Sequence, residues 1–283
     1  MDGRAEAPAA GTVLNALATG RGSAFAIDEY VSATVRLDDS EAVTGEVAGA
    51  PEADTALVER CVELALAACD ADHGGHVRTE SDVPMAGGLK SSSAAANAAV
   101  LATLDALDAT ASLERVDAAR LGVQAARETG VAVTGAFDDA SASMLGGLTV
   151  TNNREDALLV RDEVDWDVLV WTPAERAFSA DADVDRCERI APMADLVGEL
   201  ALAGRYEEAM TVNGLAFCAA LEFPTDPLVA ALPDAAGVSL SGTGPSYTAV
   251  GERTALEAVR DRWERYEGRT WLTTTQTAGA RTR

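Results

Sequence analysis

Lysine is almost missing from this sequence: one residue in 283, Lys90, against 21 arginines. Aromatic residues are also scarce, at 5%. A core must therefore be built mainly from Ala, Val and Leu, within a hydrophobic fraction of 48%. No apolar run approaches the ~20 residues that a membrane-spanning helix needs. Met1 to Ala10 has no basic region followed by an apolar stretch, so no secretion signal is read there and a cytoplasmic chain is expected. The four cysteines, Cys61, Cys69, Cys187 and Cys218, have no C-x-x-C spacing, which argues against a zinc site and against a disulfide framework. The two histidines, His73 and His76, have no third ligand nearby and read as a polar turn.

Positive charge is the other deficit. There are 46 acidic and 22 basic residues, for a formal charge of −24. The acid is spread along the chain, which disfavours nucleic acid and anionic membrane as partners. Such a surface fits a concentrated-salt cytoplasm, where screening weakens self-repulsion, so a halophilic origin is expected.

The length suits two lobes sharing a cleft, and no repeat or low-complexity linker is visible. Gly11 to Leu37 reads as strand, Gly-rich break, strand. Thr55 to Cys69 has helical apolar spacing, and His76 to Ser81 alternates like a strand. Pro84 and the following glycines forbid regular structure, after which Ser91 opens an Ala-rich helix towards Leu107. Another helix is expected from Ser112 to Thr129, then a Gly-bounded loop from Gly135 to Gly147. The polar run Asn152 to Asp156 suggests a division into residues 1–153 and 154–283. Strands and helices then continue in runs, so the class expected is α+β.

Three constellations carry chemistry. The first is Met85-Ala86-Gly87-Gly88-Leu89-Lys90-Ser91-Ser92-Ser93-Ala94-Ala95. Glycines admit a bulky anion close to the backbone, and a helix mouth points free N–H groups at it. Lys90 adds a mobile point charge that a broad guanidinium cannot replace. The serines add hydroxyls for phosphate or a magnesium ion. Leu89 before the lysine excludes a Walker A loop. The second is Glu128 followed by Asp138 and Asp139: phosphoryl transfer needs metal ligands and a group that accepts the hydroxyl proton. The third is Ser239 to Tyr247, a strand-turn-strand that reads either as a plain hairpin turn or as a turn whose amides at Gly242, Thr243 and Gly244 are free for a ligand.

The run Pro84 to Asn97 resembles the second motif of the GHMP kinases, which is usually G-L-G-S-S. Lys90, the triple serine, Thr134-Gly-Ala-Phe-Asp-Asp-Ala140 and Asn15 to Phe25 resemble the archaeal shikimate kinase branch of that superfamily. Ser241 to Ser246 resembles the third motif. The resemblance implies a ribosomal-S5-like N-terminal lobe and a ferredoxin-like C-terminal lobe, with ATP in the cleft. It implies ATP and Mg²⁺ as cofactors and shikimate as the small-molecule acceptor. Ser92 and Glu128 would be the magnesium ligands and Asp138 the catalytic aspartate, with Lys90 beside the phosphates. Asp139 also fits when counted back from Gly146-Gly147. The acceptor is expected near Asn15, Thr19, Arg21 and Ser23. Arg21 stands where relatives often have lysine, and is the candidate for the acceptor's carboxylate. A homoserine or mevalonate type of kinase, and a non-catalytic nucleotide-binding relative, are the rival readings. Oligomeric state stays open.

Overall fold

The computed structural model describes residues 1–132, 135–174 and 182–283. The motif residue Thr134 lies outside the described residues. In chain order the first elements are β1 (Asp2–Leu14), β2 (Arg21–Asp38), β3 (Val43–Val47), α1 (Ala56–Ala68), β4 (Gly74–Ser81), α2 (Ser91–Ala106), α3 (Arg115–Glu128), α4 (Phe137–Leu145), β5 (Leu148–Asn152) and β6 (Ala157–Asp162). There follow β7 (Asp167–Thr172), α5 (Val184–Glu188), α6 (Ala191–Leu202), α7 (Tyr206–Leu221), α8 (Asp226–Ala231), β8 (Gly237–Leu240), β9 (Tyr247–Gly251), α9 (Arg253–Trp263), β10 (Arg269–Thr274) and β11 (Arg281–Thr282).

The first sheet runs β11-β1-β2-β4-β3, with β5 on β2 and β6 on β5. Its pairings are antiparallel except β3 with β4. The second sheet runs β10-β7-β9-β8 and is antiparallel. Mixed helices and strands around two sheets give the α+β class expected. The polar run Asn152 to Asp156 forms the turn between β5 and β6, and both strands stay in the first sheet.

The two cores differ in grain. Helix α2 is buried nearly all round, through Ala94, Ala98, Ala99, Ala102 and Leu104 among others. A helix apolar on every side must be wrapped by neighbours, and α2 packs on β1, β2, α1 and α3. Small side chains let the elements approach: a Cβ at Gly3 of β1 would stand 2.0 Å from the carbonyl oxygen of Ala102. The core against the second sheet instead holds Trp263, Tyr247 and Phe217, all fully buried. The scarce aromatics are thus concentrated where fewer alanines are available.

Three expectations change. Gly135 to Gly147 is not a loop: α4 occupies Phe137–Leu145, with Ala136 in the left-handed region as its N-cap. The glycines bound a helix, and the Ala-Ser-Ala-Ser-Met stretch between them propagates it. Helix α3 starts at Arg115 rather than Ser112, because the Ser112 hydroxyl donates back to Ala109 O and closes a turn. Strands β3 and β6 were not foreseen, being short and only partly buried. Among the described residues no helix is long and apolar enough to cross a membrane.

Candidate active site

The turn before α2 alternates in handedness. Ala86, Gly88 and Lys90 have φ of 55°, 79° and 63°. Such alternation turns successive N–H groups towards one concavity, a nest suited to an anion. Ala86 and Lys90 carry side chains in this region, each at a cost of about 1–2 kcal/mol. The surroundings hold the turn in place through its carbonyls. Gly87 O accepts from the Ser246 hydroxyl and amide, Gly88 O from the Ser241 hydroxyl at 2.8 Å, and Leu89 O from the Ala10 amide at 3.2 Å. A Cβ at Gly88 would stand 2.3 Å from Ser241 O, so only glycine fits. The first helical bond of α2 runs from Ala94 N–H to Lys90 O. The amides of Ser91, Ser92 and Ser93 are therefore the orphan donors of a helix mouth.

The side chain of Lys90 is only 7% exposed, and its Nζ lies 2.7 Å from Asp139 Oδ1. It also lies against the turn at Gly242, where a Cβ would stand 3.1 Å from Nζ. Burial and the charge of Asp138 push the Asp139 carboxyl well above its ordinary range, and Lys90 opposes them. Asp138, 4% exposed, is held differently. Asn153 donates from Nδ2 to Asp138 Oδ1 at 2.7 Å, while Asn153 Oδ1 accepts the Asp138 amide at 3.2 Å. The other oxygen, Oδ2, faces Gly22, where a Cβ would stand 2.4 Å away.

These groups open on a cavity of about 1010 Å³. Its polar wall includes Lys90, Ser91, Ser92, Asp138, Asp139 and Thr243. An apolar part comes from Val31, Val47, Pro51, Leu57, Val58 and Val131. Among the described residues Lys90 is the only cationic side chain on the wall.

The structure brings together Met85, Ala86, Gly88, Lys90, Ser91, Ser92, Ala95, Asp138, Asp139, Gly242 and Thr243 on this cavity. Gly87, Leu89 and Gly244 of the same turns, and Ser93 and Ala94 of the first turn of α2, stay off its wall. The amides at Gly242 and Gly244 in the third constellation are bonded within the fold. Gly242 N–H donates to the Thr12 hydroxyl at 2.7 Å and Gly244 N–H to Ser241 O at 3.0 Å, which fixes the turn rather than presenting it. Asn15 reaches the wall, but its Nδ2 donates to Gly242 O and its Oδ1 accepts from Leu17 N–H. Thr19, Arg21 and Ser23 are not on the wall. Arg21 is exposed and lies against Gly198 of α6, and Ser23 is buried in β2. Glu128 is also off the wall: its carboxylate takes the Arg60 guanidinium at 2.6 Å and the Gln124 amide at 2.8 Å. Sequence reasoning missed Asn153 and Gly22, since contact with Asp138 across elements leaves no local pattern.

Residues 56–147 match the family model of the GHMP kinases N terminal domain. The chain is 67% identical to a shikimate kinase of Halobacterium salinarum, over 100% of both chains. It is 50% identical to a shikimate kinase of Methanosarcina mazei, over 99% of this chain and 96% of the relative. Among solved structures, homoserine kinase from Cytophaga hutchinsonii superposes with a TM-score of 0.78 at 18% identity, covering 100% of this chain and 97% of that one. The mevalonate kinase of Methanococcus jannaschii gives 0.77 at 14%, covering 96% and 98%. Those two share the fold alone. The motifs on the cavity and the full-length identity agree, and the chain belongs to the shikimate kinase family of the GHMP kinases.

Proposed function

We propose that this chain transfers the γ-phosphoryl group of ATP to a ring hydroxyl of shikimate, giving ADP and shikimate 3-phosphate. One observation carries the reading: the helix mouth at Ser91 and Ser92, the Lys90 ammonium and the Asp138 carboxylate belong to one cavity. The relatives named shikimate kinase, identical at 67% and 50%, support the acceptor.

The nucleotide's phosphates lie on the turn at residues 85–95, where N–H groups and Lys90 balance their charge. The base lies in the apolar part of the cavity, near Val47 and Pro51. The γ-phosphoryl group passes in line to the acceptor hydroxyl. Asp138 orients that hydroxyl and accepts its proton through Oδ2, which has no hydrogen-bond partner among the described residues. Asp139 holds Lys90 in place instead, because its carboxylate is committed to the ammonium.

Magnesium supplies charge neutralisation on the phosphates when bound. The donor chemistry suits it: Ser92 offers a hydroxyl oxygen on the wall, and a hard cation takes oxygen ligands while keeping waters and phosphate oxygens. One or two protein oxygens then suffice, and among the described residues there is no cluster of three acidic, His or Cys side chains. Glu128 would be the second protein ligand in this reading, and would have to leave Arg60 and Gln124 to serve.

For the acceptor's carboxylate we retain Arg21, which must swing away from Gly198 to reach the cavity, and add Arg154, whose guanidinium lies over Gly20, next to Arg21 in the chain. The acidic surface and the Halobacterium relative favour a concentrated-salt setting. The test is ADP release in molar KCl with shikimate, homoserine and mevalonate. Turnover with shikimate alone is expected. Turnover only with homoserine or mevalonate would reject the acceptor.

A further inference from the structure

The carboxylate at position 138 depends on a side chain from a different part of the fold. Asn153 sits in the turn between β5 and β6 and is 2% exposed. Its amide makes three hydrogen bonds. Nδ2 donates to Asp138 Oδ1 at 2.7 Å, and Oδ1 accepts both the Asp138 amide at 3.2 Å and the Thr151 hydroxyl at 2.7 Å. These partners fix its orientation. A flipped amide would set its carbonyl against a carboxylate and its NH₂ against an N–H.

The main chain at 153 is pinned as well. Its N–H donates to Gly20 O at 2.8 Å, and its carbonyl accepts from Arg127 at 3.1 Å. Arg127 in turn pairs with Asp156 at 2.7 Å, in the same turn. The amide is therefore delivered to Asp138 from a braced hairpin end.

We infer that Asn153 is a positioning residue for phosphoryl transfer: it binds one oxygen of Asp138 with a neutral donor and aims the other at the acceptor hydroxyl. This rests on the assignment of Asp138 as the proton acceptor. The chemistry explains why the donor is an amide. A lysine or arginine there would pair with the carboxylate and drain its basicity. A neutral N–H fixes the geometry while leaving the group able to take a proton. Here the cation goes to Asp139 instead, so the adjacent carboxylates have different holders. Gly22, packed on Oδ2, closes the other side of the same seat.

The experiment uses the full chain in molar KCl, with Asn153→Asp, Asp138→Asn and the exchanged double variant. Asn153→Asp is isosteric and keeps both acceptor contacts, but loses the donor and places a like charge on Asp138. It is expected to lower kcat about 100-fold, the scale of a misplaced catalytic group. It should also move the acid limb of the pH–kcat profile upward, with KM for ATP unchanged. The double variant restores the amide–carboxylate pair with its polarity reversed. It should recover the melting temperature while turnover stays at the level of Asp138→Asn. If Asn153→Asp keeps the wild-type kcat and acid limb while Asp138→Asn is slow, the role of Asn153 is wrong and that of Asp138 stands. If the double variant regains wild-type turnover, or Asp138→Asn never loses it, then Asp138 is not the proton acceptor and both assignments fall.

Discussion

Lys90 and Asp139 form an ion pair, Nζ to Oδ1 at 2.7 Å, between the turn that opens α2 and the first turn of α4. The next carboxylate, Asp138, is bound by an amide instead. Two neighbours in sequence therefore carry different chemistry, and each difference can be measured.

The fit at Lys90 depends on shape as well as charge. Its side chain is nearly buried and its ammonium touches the turn at Gly242. Lys90→Arg keeps the charge but needs room for a planar guanidinium. Steady-state kinetics of Lys90→Arg and Lys90→Met are expected to show losses of about 100-fold or more in kcat. Wild-type turnover in Lys90→Met would overturn the phosphate role.

Asp138→Asn and Asp139→Asn separate the adjacent acids. Asp138→Asn is expected to lower kcat by roughly 10²–10⁴-fold, the range of a lost general base. Calorimetric binding of an ATP analogue stays within about twofold, well below the tenfold that 1.4 kcal/mol would give. Asp139→Asn acts through Lys90, so its effect falls more on nucleotide affinity. The reverse pattern would exchange the two roles.

Asp139 also predicts a pH dependence of stability. Its carboxyl is pushed up to about 7 in the fold by burial and by Asp138. A raised acid favours the folded state fully below its unfolded value of about 4. That contribution is lost as pH rises through about 7. The wild-type melting temperature, with Asp139→Asn subtracted, is expected to fall over this window in nucleotide-free protein. A flat difference would refute it.

Gly22→Ala tests the seat of Asp138 from the other side. Position 22 does not have a left-handed φ, so alanine brings no backbone strain. The added Cβ would stand 2.4 Å from Asp138 Oδ2, and the carboxylate has to move. A kcat loss of about 100-fold is expected, as for a displacement near 1 Å. Unchanged kcat would mean that Oδ2 is not the working oxygen.

Arg21→Ala and Arg154→Ala bear on the acceptor. Each is expected to raise KM for shikimate about tenfold, with KM for ATP unchanged, as for a lost charge-assisted bond of ~1.4 kcal/mol. If neither changes it, the carboxylate is bound elsewhere.

The sequence by itself determined the glycine turn, its lysine and the serine-rich helix mouth, because they are local. Gly88, Lys90 and Ser91–Ser93 are neighbours in the chain, and a glycine turn feeding an Ala-rich helix needs no distant contact to be recognised. The class of fold and most long elements were legible too, from periodicities that burial imposes on each segment. Only the tertiary structure decided which acid pairs with Lys90, since Asp138 and Asp139 are both acids in the first turn of α4. It also decided that the amides at Gly242 and Gly244 are internally bonded, that Glu128 is tied to Arg60, and that Asn153 holds Asp138. Each is a contact between segments far apart in the chain. Hydrogen bonding acts over about 3 Å in space and leaves no spacing in sequence to read.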